Sequence, residues 1–358
     1  MAAPVEAPIS RFRLLPWLGT GTPRALRWAV GLVLVLPLAW AGLLIGAGPP
    51  PLPGHWVPAC IYAGIAGWSL WHARRAWPLL ACLAVAAVVL VAWWGIRPSN
   101  ERPWRPEVAV MPRIHLDGDR VRITGYRNFR YRSREDFDER WEQRELRLSD
   151  LRGVDFFVSY WQPDGIIAHT FLSFQVAGAD PVAISIEIRP EQGESFDALP
   201  GLLRHFELVY VVGDERDLVG VRSNHRDEEV FLYRTTASAG AARRLFLVYA
   251  ARINAVAARP EFYNLLSNNC TVNIVRYANQ AGRDAGWDVR HLLNGWSDRY
   301  LHDAGLVDTS IPFARLRALS RINEAARAAD RDPAFSRLIR QGRPVPRALP
   351  AARAEARP

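Results

Sequence analysis

Three stretches near the start of the chain are almost free of charge. Trp28–Gly48 and Ala76–Ile96 each run 21 residues without a charged side chain. His55–His72 is also uncharged between its terminal histidines, though broken by Gly64, Gly67 and Ser69. About 20 apolar residues suffice to cross a bilayer as a helix, so the pattern predicts three transmembrane helices at about 28–48, 55–72 and 76–96. After a proline-broken linker the pattern changes. Alternating β-branched and aromatic runs predict strands at 121–123, 146–148, 154–160, 169–176 and 182–188, then at 206–212, 218–222 and 230–233. The turn Ala177-Gly178-Ala179-Asp180-Pro181 makes 169–176 and 182–188 a hairpin. From Ala237 onward the spacing is helical, over 241–258, 271–280 and 292–301. Strands followed by helices point to an α+β domain.

Charge sets the orientation of the helices. Four arginines precede the first apolar stretch and Arg74 and Arg75 follow the second, whereas Pro49–Gly54 has none. The positive-inside rule then puts the N-terminus and the 72–76 loop in the cytoplasm, and three crossings deliver everything beyond Arg97 to the other side. Ten of the 14 tryptophans lie within the first 104 residues, several at the ends of apolar stretches as interfacial aromatics do. The expected organisation is a membrane anchor over 1–97, a soluble domain over 98–312, and an Arg-rich helical segment with a disordered tail over 313–358. Two readings of that last segment stand: a solvated helix packed on the domain, or a surface helix lying on anionic headgroups.

The net charge of +9 and a pI near 10.0 suggest a nucleic-acid partner until the charge is located. Residues 97–312 hold 28 arginines against 31 acids, while residues 313–358 hold eleven against four. The basic surplus sits at the two ends, and no nucleic-acid partner is expected of a mildly acidic core. All 45 cationic side chains are arginine. Without lysine there is no phosphate-loop GK[ST], no pyridoxal Schiff base and no Ser-Lys pair. Neither HExxH nor CxxC occurs, so no metal and no cofactor is expected.

Of three cysteines, Cys60 and Cys82 fall in apolar stretches, and Cys270 is alone in the soluble part. It follows Ser267-Asn268-Asn269 and opens a run of helical spacing. Asn269 is a good N-cap, which puts Cys270 in the first turn, where the helix dipole favours a thiolate and free N–H groups can hold an oxyanion. The competing reading is a small buried cysteine at a helix start. A cysteine nucleophile needs a base, and the base an orienting partner. With the hairpin centred on Ala179, Glu187 shares a sheet face with His169, one diagonal step away. A slip of one residue would turn Glu187 to the other face.

These residues carry a family resemblance. Leu151-Arg152-Gly153-Val154-Asp155, the stretch from Ser159-Tyr160-Trp161 to Ala168-His169-Thr170-Phe171-Leu172-Ser173-Phe174, Glu187 with Arg189 and Glu194-Ser195, and Ser267-Asn268-Asn269-Cys270-Thr271 resemble the Lnb N-terminal periplasmic domain family. The likeness covers roughly residues 100–300. It departs at Val272, where a second threonine is expected. The resemblance implies a permuted papain-like (NlpC-type) domain with an antiparallel sheet and a Cys-bearing helix, in the periplasm of a bacterium, held by a multi-pass anchor in the inner membrane. It implies Cys270 as nucleophile, His169 as base, Glu187 as third polar residue, and oxyanion support from the helix start with Asn269 and Tyr160. The implied activity is acyl transfer through a Cys thioester, from a membrane phospholipid to the N-terminal amine of a lipoprotein. Two other classes use the same residues differently: an NlpC-like cysteine amidase or peptidase acting on cell-wall peptide, and a catalytically inert periplasmic binding module.

Overall fold

A computed structural model describes residues 24–48, 54, 56–71, 77–194 and 199–346. The tail bearing Arg11 and Arg13, the 72–76 loop bearing Arg74 and Arg75, Ser195, and the end of the expected disordered tail (347–358) lie outside the described residues. The described chain forms two units, one built from the N-terminal helices with the loop around 199–205, the other from the remainder.

The first unit holds α1 (Arg24–Ala47), α2 (Trp56–Trp71) and α3 (Trp77–Gly95), close to the expected apolar stretches. Leu38, Ala41, Tyr62, Ala66, Leu79, Cys82 and Ala86 pack between them, and the Tyr62 hydroxyl donates to the Cys82 carbonyl at 3.2 Å. Among the described residues, α3 alone is long and apolar enough to cross a membrane; Val33–Ala47 and Trp56–Leu70 are shorter apolar helices. At 1.5 Å per residue the 16 residues of α2 reach about 24 Å, short of a hydrocarbon core of about 30 Å. At the end of α3 the Arg204 guanidinium lies over the rings of Trp93 (4.7 Å) and Trp94 (4.6 Å), and Trp93 Nε1 donates to the Leu203 carbonyl.

The second unit is a mixed α+β domain. Its strands are β1 (Arg113–Asp117), β2 (Arg120–Arg127), β3 (Arg130–Tyr131), β4 (Phe137–Asp138), β5 (Trp141–Arg147), β6 (Leu151–Tyr160), β7 (His169–Val176), β8 (Val182–Arg189), β9 (Glu207–Gly213) and β10 (Glu229–Arg234). They pair as β1-β2-β9-β8-β7-β6-β10 with β5 also on β2, while β3 and β4 form a separate hairpin. Every pairing is antiparallel except the short contact of β2 with β9.

The period of two along the strands gives the sheet two different faces. One face, carrying Val154, Phe156, Val158, Leu172, Phe174, Ile184, Ile186, Tyr210 and Val212, packs on α5 (Ala239–Ala258) and α6 (Cys270–Gln280). The other carries Asp155, Phe157, Ser159, Phe171, Ser173, Ser185 and Glu187. It is covered by α4 (Glu215–Leu218), a π-turn at Val221–His225, α9 (Asn323–Ala328) and α10 (Phe335–Leu338).

Two expectations change here, and one of the two readings of the last segment is selected. Residues 218–222 are not a strand: Asp214 accepts a hydrogen bond from the Arg216 N–H and starts α4, and the apolar run continues into the π-turn. Residues 292–301 are not one helix. A 3₁₀ turn at Asn294–Trp296 precedes α7 (Ser297–Asp303), because Gly295 meets the backbone of residues 165–166. The segment after α8 (Phe313–Ser320) is packed on the domain: Ile322, Ala326, Phe335 and Ile339 are buried, and Arg340 pairs with Asp155 (2.8 Å) and Glu215 (2.5 Å).

Candidate active site

Asn269 caps α6 as its spacing predicts. Its side-chain oxygen accepts from the Val272 N–H at 2.8 Å, and its amide nitrogen donates to the Leu265 carbonyl at 2.5 Å. Both ends of the side chain help to hold the turn, so Asn269 positions Cys270, with one amide N–H beyond the bond to Leu265. Cys270 is the first residue of the helix and only 2% exposed. The Thr271 hydroxyl, beside it, meets the Thr170 hydroxyl at 2.8 Å and ties the helix start to β7.

His169 opens β7 and is the neighbour that most lowers the Cys270 thiol. Its Nε2 faces the Ser185 hydroxyl at 2.7 Å and the Glu187 carboxylate at 3.9 Å. Burial pushes the thiol up, but His169, through its hydrogen bond and charge, and the bonds from Thr170 outweigh it and bring the thiol down to about 6. At neutral pH Cys270 is therefore mostly thiolate, the reactive form.

Glu187 shares the face of His169, as the pattern predicts, but through a different register. Phe171 lies opposite Ser185 and Phe174 opposite Val182, so the hairpin is centred on Gly178, whose φ of +70° makes the turn. Extending that register carries Glu187 directly opposite His169, not one diagonal step away. Because the shift amounts to two positions, the face is preserved. Burial pushes the Glu187 carboxyl up, yet the Arg222 guanidinium at 2.7 Å overrides it, joined by His169 and Arg127, and the group stays ionised. Ser185 thus makes the direct contact to the imidazole, and Glu187 sits just behind it.

Tyr160 stands apart from this group. Its hydroxyl donates to the Gly295 carbonyl at 2.6 Å, with Asp298 at 3.2 Å, and the Arg317 guanidinium covers its ring at 5.1 Å. Its one proton is committed to the 294–298 segment, so Tyr160 holds that turn. The turn brings in Asn294, whose Nδ2 donates to Cys270 Sγ at 3.4 Å while its Oδ1 accepts from the Ala168 N–H at 2.8 Å. Tyr263 is the other residue the sequence hid: burial pushes its hydroxyl well up from the usual tyrosine range, and the neighbouring Cys270 adds to this. Asn294 follows two leucines in a stretch with helical spacing, and Tyr263 precedes the NCT segment in a loop, so neither carries a local signal. No group of three or more His, Cys, Asp or Glu residues able to hold a metal occurs among the described residues.

A cysteine lowered to about 6 chiefly by a histidine that is itself braced by a hydroxyl and a carboxylate is equipped for nucleophilic attack on a carbonyl. Comparison with known proteins agrees with the motifs: residues 137–295 match the family model of the Lnb N-terminal periplasmic domain. The matched stretch contains His169, Glu187, Cys270 and Asn294. No curated protein and no solved structure matches the chain.

Proposed function

With an Lnb-type periplasmic domain as the premise, we propose that the protein is a membrane-anchored cysteine acyltransferase of the bacterial inner membrane, built on a permuted papain-like core with a multi-pass anchor. Its donor is a membrane phospholipid and its acceptor the N-terminal amine of a lipoprotein. The observation that carries this reading is the Cys270 thiol at the start of α6, beside the Asn294 amide and lowered to about 6 chiefly by His169.

In the proposed reaction the Cys270 thiolate attacks the carbonyl carbon of an acyl ester. The developing oxyanion lies toward Asn294 Nδ2 and the Cys270 N–H at the start of α6. The ester C–O bond breaks, the lysophospholipid leaves with the proton of the His169 imidazolium, and a thioester remains. The acceptor amine then attacks the thioester, gives its proton to His169, and releases the thiolate as the amide forms. Ser185 and Glu187 hold the ring through both steps.

The surroundings favour an acyl chain over a soluble peptide. Ile166 and Ile167 just before His169, Trp296 just after Gly295, and Leu266 ahead of the capping segment are 53%, 37%, 43% and 62% exposed, respectively. Exposed apolar side chains on segments adjoining a nucleophile suit a lipid substrate. The deciding test is mass spectrometry of the detergent-solubilised protein after incubation with phospholipid. An acyl adduct on Cys270, absent from Cys270→Ala and discharged by a lipopeptide bearing a free N-terminal amine, is expected. Cleavage of cell-wall peptide without any adduct would replace this reading with an NlpC-like hydrolase, and neither reaction would leave an inert binding module.

A further inference from the structure

A second site lies away from the thiol. The β3–β4 hairpin, the start of α4, the π-turn and the 330–333 turn enclose a cavity of about 470 Å³ that shares no residue with the Cys270 site. That volume is within the range of small-molecule sites. Four arginines line it: Arg130, Arg132, Arg216 and Arg331. Arg132 is satisfied within the hairpin by Asp136 (2.6 Å) and Asp138 (2.8 Å). Among the described residues, Arg130, Arg216 and Arg331 have no carboxylate within ion-pair distance.

The two carboxylates in the lining do not offset them. Asp138 is held by Arg132, and Asp330 accepts from Asn224 at 2.5 Å with His225 at 3.8 Å. Four arginines and two aspartates leave the lining with two positive charges. Tyr131 also lines the cavity, with its hydroxyl buried away from solvent. Phe129 and Pro333 supply an apolar wall.

We infer that this cavity binds an organic phosphate monoester. The phosphate carries close to two negative charges at neutral pH and presents three acceptor oxygens, matching the surplus of the lining. Guanidinium groups engage such oxygens in bidentate fashion. The ester's organic part lies on Phe129 and Pro333. The phosphate could be borne by a soluble ester or by a lipid headgroup.

The test is calorimetric titration of the full chain in detergent with sn-glycerol 3-phosphate, alongside co-sedimentation with phosphatidylcholine vesicles containing phosphatidic acid. Saturable binding, weakened at least ten-fold in the Arg216→Ala/Arg331→Ala double variant, is expected. Arg331→Ala alone, at an exposed side chain of the lining, should weaken it a few-fold and decides the matter if the double variant fails to fold. A loss seen only with vesicles supports the same site with a lipid-borne phosphate. The inference fails if neither probe binds saturably, or if the variants bind both as tightly as the parent.

Discussion

The two faces of the large sheet are buried to a similar degree but built from different chemistry. The face toward α5 and α6 is apolar and aromatic, from Val154 and Phe156 to Tyr210 and Val212. The face toward α4, the π-turn, α9 and α10 is threaded with charge: Arg127 on Asp217, Arg222 on Glu187, and Arg340 on both Asp155 and Glu215. Hydroxyls of that face join the ionic groups, as Ser159 donates to Glu228 and Ser173 to Glu215. The difference separates two tasks. The apolar face seats the helix that presents Cys270, while the ionic face holds the orientation of its base through Ser185 and Glu187. A helix can be seated by area alone, whereas a ring at the start of a strand needs directional partners.

The largest effect expected from breaking this division comes from Arg340. Replacing it with leucine strands Asp155 and Glu215 without their buried partner, and loss of one member of such a cluster costs about 3–5 kcal/mol. Urea unfolding measures it, and an unchanged midpoint would show that the ionic face contributes little to the fold. A smaller effect on stability, with a large one on chemistry, is expected for His169→Ala. The thiol then keeps its burial but loses the group that lowers it, so it should titrate above 9 in place of about 6. Alkylation of Cys270 by iodoacetamide should rise with pH through about 6 in the parent and only above 9 in the variant. At pH 7 the parent is mostly thiolate and the variant mostly thiol.

Gly295→Ala comes next. A Cβ there would lie 2.0 Å from the Gly165 carbonyl oxygen, so the 294–296 turn must retreat and take Asn294 from the thiol. Overpacking of this kind costs about 1–3 kcal/mol, and the thiol of the variant should be alkylated faster because its cover is displaced. The smallest change is expected at Asn269→Ala, which removes the N-cap of α6 at about 1 kcal/mol. A melting shift of that size with Cys270 still reactive would fit a residue whose part is only to position the helix.

Much of this was legible in the chain because it depends on local pattern. Alternation in 154–160, 169–176 and 182–188 marked the central strands, and Asn269 before a helical run marked the start of α6. Glu187 was placed on the right face despite a hairpin centre off by one residue, since moving the centre by one moves the pairing by two and parity survives. What stayed hidden arrives from a distance or against pattern. Asn294 lies 24 residues past Cys270 in a turn whose neighbours read as helix, and Arg222 sits in a π-turn whose apolar residues read as strand. Tyr160 entered as oxyanion support through the family resemblance, whereas its hydroxyl donates to the Gly295 carbonyl 135 residues further on.

The position of Asn294 also sets an order of events. Synthesis delivers His169, then Cys270, and only afterwards the turn at 294–296 that closes beside the thiol and the Arg340 that completes the charged face. Domains form from the N-terminal side as the chain emerges. For the time taken to add the last stretch, the sulfur is present and its lid is not. A chain halted between Gln280 and Asn294 would carry Cys270 without the Asn294 amide that covers it.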